Sequence, residues 1–180
     1  MGYAVLLYFD DQTEQSIRNV RHALAEQGLP SLLDKVGDRP HISLAGFSNL
    51  DPAILISLVQ EYANDIEPLQ VDLSAIGTFP TEEHVLFLSP VPTLQLLTCH
   101  QEFHQRLATS KLISSPYYVP TKWTPHCTVE MNIPDEQLPK AIEFCSRAFK
   151  PITGHIQEIG VIEYPPIKHL AKWSLVKRTP

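Results

Sequence analysis

Pro40-His41-Ile42-Ser43 and Pro125-His126-Cys127-Thr128 are the two stretches from which the fold of this chain is read. Each places an imidazole two positions before a hydroxyl, in a segment that alternates in polarity. On a β-strand, side chains at i and i+2 share one face. His41 with Ser43, and His126 with Thr128, therefore project together. Ile42, Leu44, Cys127 and Val129 project to the opposite, apolar side. Both stretches read as strands with one face in a core and one face in a groove.

The chain has 8 histidines, so about one His-x-Ser/Thr pair is expected from composition alone. Context separates these two from chance. Both histidines follow Pro, both open an apolar alternating run, and both come shortly before a predicted helix. They lie 85 positions apart, close to half of the 180 residues. A second match falls near the same offset: Ala75-Ile76-Gly77-Thr78-Phe79 resembles Glu158-Ile159-Gly160-Val161-Ile162, 83 positions later. Two similar segments in the same order at nearly the same offset indicate a duplicated unit.

The rest of the chain fills in around this repeat. Residues 3–9 are apolar and β-prone. Asp10 and Asp11 offer caps to a helix whose inner face carries Ile17, Val20 and Leu24, and Gly28 and Pro30 end it. Strand 41–48 follows. Asp51-Pro52 then starts a helix with Ile54, Leu55, Leu58, Val59 and Tyr62 on its buried stripe. Residues 69–78 and 84–90 read as strands. A helix over 93–109 has Leu94, Leu97 and Leu107 inward, and 114–123 is a loop rich in Pro and aromatic residues, suited to a binding rim. Strand 126–133, a helix capped by Asp135 and running to about 149, and strands 155–163 and 169–177 close the chain. The order predicts an α+β, bilobal, pseudo-twofold fold. Two largely antiparallel sheets form a groove, with helices on their outer faces. Residues 1–180 are expected to form one domain with pseudo-repeats of approximately 1–80 and 81–180.

Hydrophobic residues at 43% and charged residues at 19% describe an ordinary globular chain. The net charge of −6 argues against an extended nucleic-acid surface, because phosphate neutralisation drives such binding. A small nucleotide or a strand end suits the groove better. The run over residues 1–9 is too short to span a membrane and has no basic leader, so it reads as a buried strand. Cys99, Cys127 and Cys145 are odd in number and widely spaced, which fits free thiols in a reducing cytoplasm.

With two H-x-S/T motifs, one per repeat, each opened by Pro, the chain resembles the two-histidine (2H) phosphoesterase superfamily, which includes 2′-5′ RNA ligase-like and cyclic phosphodiesterase proteins. The resemblance covers almost the whole chain. It implies that His41 and His126 are a catalytic acid/base pair and that Ser43 and Thr128 hydrogen-bond the phosphate oxygens. It also implies that no metal or other cofactor is needed. Many RNA ligase-like members carry an Arg three residues after the second motif's Thr. Here that position is Met131, preceded by Glu130. Arg39, Lys122 and Lys168 are candidate replacement cations.

The residues lead to the same chemistry by themselves. An imidazole titrates near neutrality, so of two facing imidazoles one serves as base and the other as acid. The hydroxyls stabilise charge on a phosphoryl group. The plainer reading is two half-buried strand histidines satisfied by their neighbouring hydroxyls. Trp123, Tyr117, Tyr118, Phe47 and Tyr164 are candidates to stack on a base, or simply rim and core residues. His100 and His104 stand at helical i, i+4 spacing but lack a third ligand, so no metal site is assigned. Cys127 points away from the groove and reads as a core thiol. Two functions are consistent with these observations. One is a metal-independent phosphoesterase for a 2′,3′-cyclic phosphate or 2′-5′ linkage, with ligation as its reverse. The other is a nucleotide- or RNA-end-binding module with the same groove and little turnover.

Overall fold

The computed structural model describes residues 1–177, and the last three positions of the expected 1–180 domain lie outside the described residues. Among the described residues, seven strands and five helices alternate: β1 (Gly2–Phe9), α1 (Asp11–Glu26), α2 (Leu32–Lys35), β2 (His41–Ser48), α3 (Pro52–Ala63), β3 (Leu69–Thr78), β4 (Leu86–Pro90), α4 (Leu94–Thr109), β5 (Cys127–Glu130), α5 (Leu138–Ala148), β6 (Ile152–Tyr164) and β7 (Lys168–Ser174). Local chemistry sets the helix starts. Asp10, Asp51 and Thr93 each accept a backbone N–H of the first turn, from Thr13, Ala53 and Leu96 respectively.

The α+β class holds, and every strand pairing among the described residues is antiparallel. The two expected sheets are joined into one, in the order β2-β1-β6-β3-β4-β5, with β7 also on β6. The reason is the length of β6. One edge pairs with β1 over residues 156–164. The other edge takes β3 over 152–156 and β7 over 158–163. The sheet does not close. Its end strands β2 and β5, which carry the two motifs, still approach with Cα atoms within 8 Å.

Alternation sorts the faces. Val5, Leu7, Phe9, Ile42, Leu44, Cys127, Val129, Ile159 and Val161 are buried in the main core. Ala4, Leu6, Tyr8 and Ile162 form a small cluster of their own with Ile167. Each fully buried Leu, Ile or Val contributes roughly 1.5–3 kcal/mol.

Several boundaries depart from expectation. On α4, Leu94 and Leu97 are exposed, and the buried face is Leu96, Cys99, His100, Phe103 and Leu107. Two of those side chains read as weakly apolar in sequence. Ile54 on α3 is likewise exposed. Strand β5 stops at Glu130, and Asn132 in the left-handed region (φ 54°) turns the chain away. Asp135 is exposed rather than capping α5, which starts at Leu138. The short α2 has no cap from its own Ser31. Its Leu32 N–H is held by the buried Glu130 carboxylate at 3.2 Å, a partner 98 residues away.

Candidate active site

His41 opens β2 and His126 immediately precedes β5. Both are half-buried, as are Ser43 and Thr128. The two imidazoles are held in the same way. Nδ1 of His41 donates to the Arg39 carbonyl at 2.7 Å, and Nδ1 of His126 donates to the Thr124 carbonyl at 2.7 Å. In each case the acceptor lies two residues back, across the intervening Pro. A carbonyl can only accept, so each Nδ1 carries its proton and each Nε2 is left for chemistry. Burial first, and then the charge of His41, push the His126 pKa below the ordinary imidazole value.

The aromatic surroundings are also matched. Tyr8, paired with His41 across β1 and β2, lies edge-on to its ring at 6.4 Å. Phe87, paired with Thr128 across β4 and β5, lies 5.4 Å from the His126 ring. Each aromatic ring is seated over a glycine of the repeated Ile-Gly segments. A Cβ at Gly160 would stand 2.8 Å from Tyr8 Cε2, and one at Gly77 would stand 2.5 Å from Phe87 Cζ. That close approach is the physical content of the repeat seen in the sequence.

Chemistry differs between the two sides. Beside His126, Phe79 and Phe87 form an apolar wall at 4.9 and 5.4 Å. Beside His41, the buried Tyr8 hydroxyl is hydrogen-bonded to Nδ1 of the exposed His169 at 3.3 Å, and burial holds the phenol protonated. The Asp38 carboxylate, itself buried, places Oδ1 3.5 Å from Nδ1 of His41. Among the described residues no carboxylate is paired with His126 in this way.

A cavity of about 630 Å³ opens on the β5 side. His126, Thr128, Lys122, Trp123 and Met131 line it together with Phe79, Tyr117 and Tyr118. His41 and Ser43 lie outside that lining but are tied to it. The Trp123 indole N–H donates to the Ser43 carbonyl at 2.9 Å, and the Ser43 hydroxyl is hydrogen-bonded to the Tyr118 phenol. The His41 backbone is hydrogen-bonded to the Cys127 sulfur, whose thiol burial pushes up to about 12.

The candidate cations separate clearly. Lys122 is exposed on the cavity wall, where it is the only Lys or Arg in the lining among the described residues. Arg39 is drawn between Glu14 (2.6 Å) and Glu158 (2.5 Å) and stacks on Tyr8 at 4.3 Å. It lines a different hollow from the cavity beside His126, and its charge is met by these two carboxylates. Lys168 is paired with Glu163 at 3.2 Å. Phe47 is a core residue, and Tyr164 packs over Gly2.

His100 and His104 hold the rim. Nε2 of His100 donates to the Tyr118 carbonyl at 2.8 Å, and Nε2 of His104 donates to the Leu44 carbonyl at 3.1 Å. The His100 ring stacks on Trp123 at 3.8 Å, nearly parallel. Burial, reinforced by His104, lowers the His100 pKa to about 4. Among the described residues, no group of three or more His, Cys, Asp or Glu is placed to hold a metal ion. Among them, too, no helix is long and apolar enough to cross a membrane.

Two residues of the site escaped the sequence reading. Arg21 and Asp38 lie beneath the motifs, and Arg21 occupies the same α1 stripe as Ile17 and Leu24. A charged residue three or four positions from each of two core residues was the available signal.

No curated protein matches this chain in sequence. Among solved structures, E. coli LigT complexed with 3′-AMP is similar over 97% of this chain and 98% of its own, with a TM-score of 0.64 and 13% identity. A crystal structure described as a phosphoesterase is similar over the same shares, at a TM-score of 0.64 and 14% identity. TT0787 of Thermus thermophilus is similar over 97% and 98%, at 0.60 and 15% identity. The profile of the 2′-5′ RNA ligase superfamily matches residues 8–166. With that match across most of its length, this chain belongs to the 2′-5′ RNA ligase superfamily.

Proposed function

We propose that this chain is a metal-independent phosphoesterase. Its substrate is a 2′,3′-cyclic phosphate or a 2′-5′ phosphodiester of a nucleotide or RNA end, with ligation as the reverse reaction. The observation that carries this reading is the matched pair of imidazoles, each with Nδ1 fixed on a carbonyl at 2.7 Å and Nε2 without a hydrogen-bond partner among the described residues. Family membership adds to it. E. coli LigT has been crystallised with 3′-AMP, NADP+ and ATP, which fits a small-nucleotide substrate here. The three buried free thiols suit a reducing cytoplasm.

His126, with its pKa held down by burial, is neutral at pH 7 and serves as the base. Its Nε2 takes a proton from water as the water oxygen bonds to phosphorus. The bond from phosphorus to the departing ribose oxygen breaks, and His41 delivers the Nε2 proton to that oxygen. Charge gathered on the non-bridging oxygens is met by Thr128, by the Ser43–Tyr118 hydroxyl pair and by Lys122. The aromatic cavity beside His126 receives the base. Run backwards, the same transfers join a 2′-5′ bond.

The test is turnover of a panel of nucleoside 2′,3′-cyclic phosphates and 2′-5′ dinucleotides in excess EDTA. Hydrolysis that persists in EDTA is expected. Activity that appears only with a divalent ion would overturn the metal-independent reading. The second reading, a binding module with little turnover, draws on the scarcity of cations. Among the described residues Lys122 is the one cation lining the cavity, and Met131 shares that lining. Tight binding of a cyclic phosphate without hydrolysis would favour it.

A further inference from the structure

Beneath the two motifs lies a buried ion pair that touches both. Arg21 projects from α1 into the core with its side chain 2% exposed. Its Nη1 donates to the Asp38 carbonyl at 2.8 Å. Its Nη2 donates to Asp38 Oδ2 at 2.9 Å and to the Thr128 carbonyl at 3.0 Å. The other oxygen of Asp38, Oδ1, is the one 3.5 Å from Nδ1 of His41. One guanidinium therefore connects the backbone of the second motif to a carboxylate behind the histidine of the first.

This arrangement does little for stability. A buried ion pair gains little over well-packed apolar residues, because desolvation offsets the attraction. Nε of Arg21 is buried with no hydrogen-bond partner among the described residues, a further cost. A guanidinium suits the task for geometric reasons: its planar fork reaches three oxygens from two segments at once, which the single ammonium of Lys does not. The segments it joins are not paired strands, since β2 and β5 are the two ends of the open sheet.

We propose that Arg21 and Asp38 are positioning residues that make the two motifs a single site. Arg21 sets the spacing of the Thr128 segment from the His41 segment. Asp38 supports the proton on His41 and has no counterpart at His126 among the described residues. The other groups facing His41 do not duplicate that role. Among the described residues they are the Arg39 carbonyl on its own segment, the protonated Tyr8 phenol on β1, and His126 just before β5, while the protonated Cys127 thiol meets only the His41 backbone. The Arg39 guanidinium over Tyr8 is balanced by Glu14 and Glu158. The consequence for turnover rests on the phosphoesterase reading, whereas the effect on His41 does not.

The test uses the full chain with ¹⁵N-labelled histidine, with His41 and His126 signals assigned through His41→Gln and His126→Gln. Asp38→Asn keeps the volume and the backbone carbonyl that Arg21 grips. It is expected to lower the titration midpoint of His41 relative to the parent without lowering that of His126. His126 is the internal control, because its Nδ1 has the same 2.7 Å carbonyl bond. On a cyclic phosphate the parent hydrolyses, kcat should fall roughly tenfold with KM within about twofold, the pattern of a contact that matters in the transition state. Arg21→Lys should lower kcat at least as much, with native-like circular dichroism. If His41 titrates in Asp38→Asn as it does in the parent, the proposal is wrong. Equal shifts of both histidines would overturn it too, by showing a general loosening. A parent that hydrolyses nothing in the panel would remove the phosphoesterase reading, and the His41 titration would still decide the role of Asp38.

Discussion

At the scale of single residues, two imidazoles share one restraint and differ in setting. Because both Nδ1 atoms are committed to carbonyls, removing either ring removes a positioned Nε2. His41→Ala and His126→Ala should each lower turnover by roughly two to four orders of magnitude. The double variant should be little worse than either single, since groups acting as a unit are non-additive. Ser43→Ala and Thr128→Ala should cost less, each losing one hydrogen bond. Steady-state rates on a single cyclic nucleotide check all five, and near-parental rates in both histidine singles would dismiss the acid/base pair. The pH–rate profile should be bell-shaped, with its acid limb below the ordinary imidazole range, because protonating His126 removes the base. Met131 lines the cavity with His126 and Thr128. Met131→Arg should therefore raise kcat/KM for an oligonucleotide ending in a cyclic phosphate more than for a mononucleotide. An equal change for both would mean that the added charge contacts only the shared phosphate.

At the scale of elements, strands of the sheet supply the aromatic supports and α4 supplies the rim. Gly77→Ala and Gly160→Ala each put a Cβ inside the space of a ring beside a motif histidine. Each should cost about 1–3 kcal/mol, the usual range for overpacking, read from urea denaturation. Unchanged stability in both would mean that the rings shift freely. His100 and His104 hold the rim by donating to the Tyr118 and Leu44 carbonyls, and burial favours their neutral forms. His100 titrates at about 4 in the folded chain against an ordinary value of 6.5. Between those values the unfolded chain binds a proton that the folded chain excludes, so stability falls as pH falls through this window. The melting temperature should drop from pH 7 to pH 5, and by less in His100→Gln. An equal drop in both proteins would assign the acid sensitivity elsewhere.

At the scale of the molecule, β6 is the shared beam. It pairs with β1 and β7 along one stretch and with β3 along another. Strands from both halves of the chain hang on it, and among the described residues it alone joins β2-β1 to β3-β4-β5. A single calorimetric transition is expected, with calorimetric and van't Hoff enthalpies equal. Two resolved transitions would show that the sheet divides.

Much of this was legible in the residues alone. Strict alternation around His41 and His126 determines which side chains share a face, because side-chain period on a strand is a local property. Caps such as Asp10 and Asp51 determine helix starts for the same reason. The family resemblance rested on those two motifs. What the tertiary structure decided are the relations between distant segments. The tie of Arg39 to Glu14 and Glu158 is one, and the support of α2 by Glu130 is another. The buried face of α4, the single joined sheet and the Arg21–Asp38 link belong to the same class. Each depends on which partner a charged or weakly apolar side chain meets across the core. Sequence periodicity records only whether a residue faces inward, whereas its partner is chosen by packing among segments as distant as those of Tyr8 and His169, 161 residues apart.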